Sequence, residues 1–328
     1  MLPDPASQQW SCAGSPQAVR AEPIRLAKRV TVAEAFQVIA RSCLRHAALN
    51  ARLVRDGDAE GIHQMRVALR RLRAAISLFH SVLCSAETQA VKAQLRWLTE
   101  QLGPARDYDV LVEESVVPMK RSGPHRREIA QLEVVLRAER SLKAADARAA
   151  VESDRYARFM QETSFWLAGG EWAQTQDDSQ RRRRQRRLKP LARKTLTRRT
   201  KRLTRGLKRL SRLQPAERHK LRIAVKKLHY GTQFFAALFG RKSSSCKRFV
   251  RRLERLQALL GRLNDLRIHE TLIERFVQPS GATPNASSPD VAYAIGLVTA
   301  TEATHVGGLV KAATRAGAKL ARLPRFWD

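Results

Sequence analysis

The chain has 328 residues, 62 of them Lys or Arg and 30 Asp or Glu, for a formal net charge of +32. Hydrophobic residues make up 43%, enough to build a sizeable core, and 16 Gly with 13 Pro exclude collagen-like and low-complexity classes. A surface this basic repels itself unless an anion neutralises it, so nucleic acid, anionic lipid or another polyanion is the expected partner class.

From the N-terminus, residues 1–23 read as a flexible arm, with Pro3, Pro5, Pro16 and Pro23 and no apolar stretch of signal-peptide type. From residue 24 to 277 Ala, Leu and Arg dominate, and these are strong helix formers. No period-2 alternation of β-branched residues is sustained, so the expected fold is all-α. Arg41, Arg45, Arg52 and Arg55 form a first, weak basic stripe. A break follows at Asp56-Gly57-Asp58.

Residues His63–Phe79 next form an amphipathic helix. At about 100° per residue, Met65, Leu69, Leu72, Ile76 and Phe79 share one side. His63, Arg66, Arg70 and Arg73 share the other. No acid is interleaved, and like charges at i,i+3 and i,i+4 cost a few tenths of a kcal/mol per pair, so a phosphate ligand is expected to offset them. Further breaks are expected at Gly103-Pro104, Ser122-Gly123-Pro124, Gly169-Gly170 and Gln214-Pro215. Residues 24–170 therefore read as a first helical bundle.

Residues 171–187 read as a basic linker ending in RRRRQRR (Arg181–Arg187), a flexible polycation. Residues 188–328 form the second bundle. Between Ser179 and Ala216 there is no acidic residue, and Lys194, Arg198, Lys201, Arg205, Lys208 and Arg212 fall at 4,3,4,3,4 spacing on one helical face. Leu196, Leu203, Leu207 and Leu210 lie opposite. A second His-led stripe follows: His219, Arg222, Lys226 and His229, with Leu221, Val225, Leu228 and Phe235 on the reverse. Gln278–Asp290 is a polar, proline-rich loop.

The halves repeat one another. His63–Leu72 (HQMRVALRRL) aligns with His219–Leu228 (HKLRIAVKKL), with four identities and five like-for-like exchanges. Leu102–Asp107 (LGPARD) aligns with Leu260–Asp265 (LGRLND) after a two-residue insertion. Two pseudo-symmetric bundles are expected, with the stripes facing each other across a basic central groove or pore. Asp107 and Asp265 read as helix caps or ion-pair partners of nearby arginines, with a metal or catalytic role as the alternative.

Other chemistry is sparse. Cys12, Cys43, Cys84 and Cys246 form no CxxC and read as reduced, incidental thiols. There is no HExxH, Walker A, GxGxxG or GxSxG motif, so no metal, cofactor or catalytic residue is assigned. No apolar run is long enough to span a membrane.

The sequence resembles the CHAD family, the conserved-histidine α-helical domains. The resemblance lies in Ile62–Phe79, Leu102–Leu111, Arg218–Phe235, Leu259–Leu266 and the closing Leu323–Trp327, and covers about residues 25–327. It implies two pseudo-symmetric bundles around a basic centre that binds inorganic polyphosphate, often at polyphosphate granules. His63, Arg66, Arg70, Arg73, His219, Arg222, Lys226 and Lys227 match the family's motif histidines and cations; His229 departs from it, standing where a stronger base is usual. Only 6% of residues are aromatic, and base-stacking readers of single strands need aromatics. Stripes of nearly pure Arg, Lys and His suit a bare phosphate chain. The expected protein is a cytoplasmic, non-catalytic polyphosphate binder. Its rivals are a non-specific nucleic-acid binder and a metal-dependent phosphohydrolase using Asp107 and Asp265.

Overall fold

A computed structural model of the chain describes residues 17–174, 177–240, 243–277 and 288–328. Among them every regular element is a helix, and an isolated antiparallel bridge joins Thr31 to Arg187. The first half contains α1 (Val32–Leu49), α2 (Ala51–Arg55), α3 (Ala59–Leu78), α4 (Ala86–Leu111), α5 (Val117–Ser122), α6 (Arg126–Glu152) and α7 (Asp154–Gly169). The second contains α8 (Glu171–Gln174), α9 (Asp178–Gln185), α10 (Leu188–Leu207), α11 (Pro215–Phe235), α12 (Ser244–Val277) and α13 (Pro289–Ala321).

Local chemistry sets the helix starts. The Thr31 hydroxyl accepts from the Glu34 N–H while the Glu34 carboxylate accepts from the Thr31 N–H, a reciprocal capping box for α1. Asp58 caps α3 through the Gly61 N–H, and Ser85 caps α4 through Thr88. Gly61 is required for packing, because a Cβ there would lie 2.4 Å from the Cβ of Leu53 on α2.

The predicted apolar faces are the ones buried. Met65, Leu69, Leu72, Ile76 and Phe79 on α3 and Leu221, Val225, Leu228 and Phe235 on α11 all lie in one hydrophobic core. That core draws on both halves of the chain, with Phe36 against Phe79, Trp166 and Trp172, and Phe79 in turn against Phe235. A smaller core joins α4 and α6 to α12 and α13 through Leu111, Leu132, Ile273 and Val298. At the C-terminus Trp327 is fully buried; its indole N–H donates to Thr197 and its carbonyl accepts from Arg193.

Four expectations are corrected. The Gly103-Pro104 break is absent: α4 runs through it, with Pro104 inside the helix. Gly261 likewise lies inside α12, so Asp107 and Asp265 are mid-helix residues and cap nothing. The RRRRQRR segment is not a free polycation, since α9 takes up its first part. Its Arg184 is buried and donates to the Trp172 carbonyl, and the backbone that follows pairs with residues 30–32 through Val32 N–H to Arg186 O and Leu188 N–H to Val30 O. The N-terminal arm is anchored at Val19, whose N–H donates to Asn50 and whose carbonyl accepts from Asn50 and His46. Residues 1–16 of that arm, and 278–287 of the proline-rich loop, lie outside the described residues.

Candidate functional site

Four helices meet around one axis: α3 packs on α4, α4 on α12, α12 on α11, and α11 back on α3. Within this ring α3 and α11 run side by side in parallel register. Arg66 lies near Arg222, Arg70 near Lys226, and the Phe79 ring 5.9 Å from that of Phe235. The C-terminal halves of the pair close on apolar packing and on a hydrogen bond from buried Arg71 to Gln233 of 2.8 Å. The N-terminal halves hold cations.

The cations converge from both helices. Arg66 feels Arg70, Arg106 and Arg222 as well as Asp107; burial is the largest influence and pulls its guanidinium down to about 10. Burial pushes Lys226 down to about 7, reinforced by Arg222, Arg70 and Arg66 against the single opposing charge of Asp265. Arg222 is lowered for the same reasons. His63 is forced down to about 4, first by burial and then by Arg106 and Arg70, so it is neutral at pH 7.

Two carboxylates temper this field. Asp107 on α4 pairs with Arg66 at 3.6 Å, and Asp265 on α12 with Arg222 at 4.0 Å, the corresponding contact at aligned positions. Both contacts are longer than a charge-assisted hydrogen bond of about 2.8 Å, and the arginine side chains are only 15% and 17% exposed. Burial raises Asp107, with Asp265 adding to the rise and Arg66 opposing it. Nitrogen atoms are left over: among the described residues, Nε of Arg66, Arg70 and Arg222 and Nη1 of Arg66 are buried without a hydrogen-bond partner, as is Nδ1 of His63. Buried polar groups are nearly always satisfied. A cluster of unspent donors and positive charge has the chemistry to donate hydrogen bonds to an anion rich in oxygen and to offset its charge.

The two histidines differ. His219 donates from Nδ1 to the Asn264 side-chain oxygen at 2.6 Å. The residue aligned with Asn264 is Arg106, so His63 meets a cation instead.

The other predicted residues are distributed differently. Arg73 is exposed beside a second group, acting on Lys227 together with Arg199 and Arg202. Lys194, Arg198, Lys201 and Arg205 are exposed on the outside of α10, and Arg41 and Arg45 are exposed on α1. None of these six is among the charges acting most strongly on Arg66, Arg222 or Lys226. These six stand exposed, whereas Arg66 and Arg222 are largely buried. His229 is a correction: it is 7% exposed, pushed to about 4 by burial and by Arg71, because the α3–α11 packing closes over it. Arg106, Asn264, Arg199 and Arg202 are site neighbours that periodicity did not single out. Behind Asp107 lies a further unpredicted network, in which Ser115 and His269 both donate to buried Glu302.

The CHAD domain family model matches residues 38–274, most of the chain. The protein belongs to the CHAD domain family. This CHAD domain is similar in structure to the CHAD domain from the plant Ricinus communis, at 30% identity and a TM-score of 0.77, over 95% of this chain and 99% of that one. Its fold is also that of PptA from Streptomyces chartreusis, at 18% identity and a TM-score of 0.63, over 88% of this chain and 99% of that one. No curated protein matches it. Among the described residues no helix is long and apolar enough to cross a membrane.

Proposed function

We propose that this CHAD domain binds inorganic polyphosphate, without catalysis, at the cluster between the N-terminal halves of α3 and α11. The observation that carries the reading is the convergence of Arg66, Arg70, Arg222 and Lys226, from two sequence-equivalent segments, with buried N–H groups that no atom of the described residues satisfies. Phosphate oxygens accept from guanidinium forks and offset the mutual repulsion of the cations. Base-bearing polymers fit less well, because the cations lie between helices, and neither histidine needs a base to pair with. Asp107 and Asp265 act as counter-charges that a phosphate replaces. Their engagement by Arg66 and Arg222 supports a binding role over a metal-holding one, so no Mg²⁺-dependent phosphate release is expected. The family resemblance supports association with polyphosphate granules in the cytoplasm.

The test is a titration of labelled long-chain polyphosphate. By analogy with DNA, each neutralised phosphate contributes about 0.9 to the log–log salt slope. Arg66→Ala with Arg222→Ala should weaken binding at least about 100-fold and flatten that slope by about 1.8, with unchanged helicity. Polyphosphate on the wild type should resist charge-matched single-stranded RNA, duplex DNA and heparin. Wild-type binding by the double variant, or equal displacement by all three competitors, overturns the reading.

A further inference from the structure

The outer face of α10 has no part in the cluster just described. Lys194, Arg198, Lys201, Arg205 and Lys208 are exposed along it, and Leu196, Leu203 and Leu207 are buried on its reverse. The row spans about 21 Å at 1.5 Å per residue. Residues 179–216 contain no acid, and none of these five forms an ion pair among the described residues. At its C-terminal end Arg202, Arg205, Lys208 and Arg209 surround a surface depression of about 620 Å³ with Gly206 and Leu213.

Two physical differences separate this row from the central cluster. The first is electrical, since no α10 side chain is among the main charges on Arg66, Arg222 or Lys226. The second is exposure. The central arginines are 15% and 17% exposed between helices, whereas every side chain of the α10 row is exposed. A polymer with bulky side groups is hindered at the first and not at the second. The row carries no aromatic residue on which single-stranded bases could stack. It also presents no exposed large apolar side chain to enter a bilayer. A stiff, regular array of phosphates matches it.

We propose that the outer face of α10 is a second, independent site that holds the phosphate backbone of duplex nucleic acid without reading its sequence. Together with the polyphosphate reading of the central cluster, on which this last step rests, the domain becomes a tether between polyphosphate and duplex nucleic acid. Binding here is by charge neutralisation and counterion release, so it is steeply salt-dependent.

Fluorescence anisotropy of a labelled random-sequence duplex with the full chain tests it. Lys194→Ala, Arg198→Ala, Lys201→Ala and Arg205→Ala combined should weaken duplex binding at least about 30-fold and flatten the salt slope by up to about 3.6, while polyphosphate affinity changes less than about threefold. These positions are exposed and Ala is the best helix former, so folding is retained, and circular dichroism checks it. Arg66→Ala with Arg222→Ala should keep duplex binding, and saturating short-chain polyphosphate should leave the duplex bound. The proposal is overturned if short-chain polyphosphate strips off the duplex, if the quadruple variant binds duplex like the wild type, or if only anionic-lipid vesicles bind the row. If the central cluster fails to bind polyphosphate, the duplex arm still decides the α10 site, and only the tether is lost.

Discussion

Arg66 has surrendered most of its hydration for a contact with Asp107 that is 3.6 Å long, and Arg222 does the same with Asp265 at 4.0 Å. Each carboxylate lowers the repulsion within the cluster and, on the proposed function, would compete with an incoming phosphate. Asp107→Asn with Asp265→Asn should therefore bind polyphosphate several-fold more tightly while the ligand-free protein melts at a lower temperature, read by titration and scanning calorimetry; weaker binding would mean that the carboxylates orient the arginines productively. Lys226 adds a proton to the ledger. In the free protein Arg222, Arg70 and Arg66 face it against Asp265, and its folded value of about 7 lies below the ordinary 10.5. The free fold resists charging this lysine, so its stability falls as pH drops from 10.5 to 7 and is not lowered further by this group below that. A bound polyanion favours the charged ammonium. Above pH 7 binding must take up a proton, and affinity should decline toward about tenfold per pH unit. Calorimetry in buffers of different ionisation enthalpy counts that proton, and Lys226→Arg should abolish the decline, because Arg stays charged.

At the scale of the helix, α4 and α12 carry a matched pair of glycines with different neighbours. A Cβ on Gly103 would lie 2.9 Å from the Arg66 guanidinium, whereas a Cβ on Gly261 meets nothing within 4 Å. Both positions are helical, where Ala is favoured over Gly by roughly 0.5–1 kcal/mol. Gly261→Ala should raise stability by about that amount and leave polyphosphate affinity alone. Gly103→Ala should fold as well but push Arg66 off its position and weaken binding, so calorimetry and titration on the two variants separate packing from function. These glycines also show what the sequence hides. The apolar faces of α3 and α11 were legible because a 3.6-residue period demands one buried side, and every predicted core residue on them is buried. The continuity of α4 through Gly103-Pro104 was not: glycine and proline disfavour a helix locally, and only the tertiary contact with Arg66 gives the glycine its purpose. His229 failed for a related reason. Its periodicity matches Arg222 and Lys226, but at that level it is buried beside Arg71, which reaches across from α3 to Gln233 on α11. The α10 row was legible as a cationic stripe, but that it stays exposed while Arg66 and Arg222 are buried was not, because one helix's pattern does not record its rotation against its neighbours.

Across the whole molecule, a formal charge of +32 means that the ligand-free state stores repulsion, which is concentrated where burial weakens screening. Arg70 and Lys226 show this most cleanly, because neither forms an ion pair among the described residues while both act on Arg66 and Arg222 or on each other. Removing them deletes like charges without orphaning a carboxylate. Arg70→Ala with Lys226→Ala should therefore raise the ligand-free melting temperature by a few degrees, most at low ionic strength. In the wild type, polyphosphate at about 100 times its Kd should add about 2.7 kcal/mol of stability by mass action; in the double variant at the same ligand concentration most of that gain should vanish. Scanning calorimetry with and without polyphosphate, at low and high salt, reads both effects in one series. A variant that gains stability when empty and loses its response to the anion would show that the cluster is held in a costly arrangement because the ligand relieves it. A variant less stable when empty would make Arg70 and Lys226 structural residues whose packing outweighs their charge.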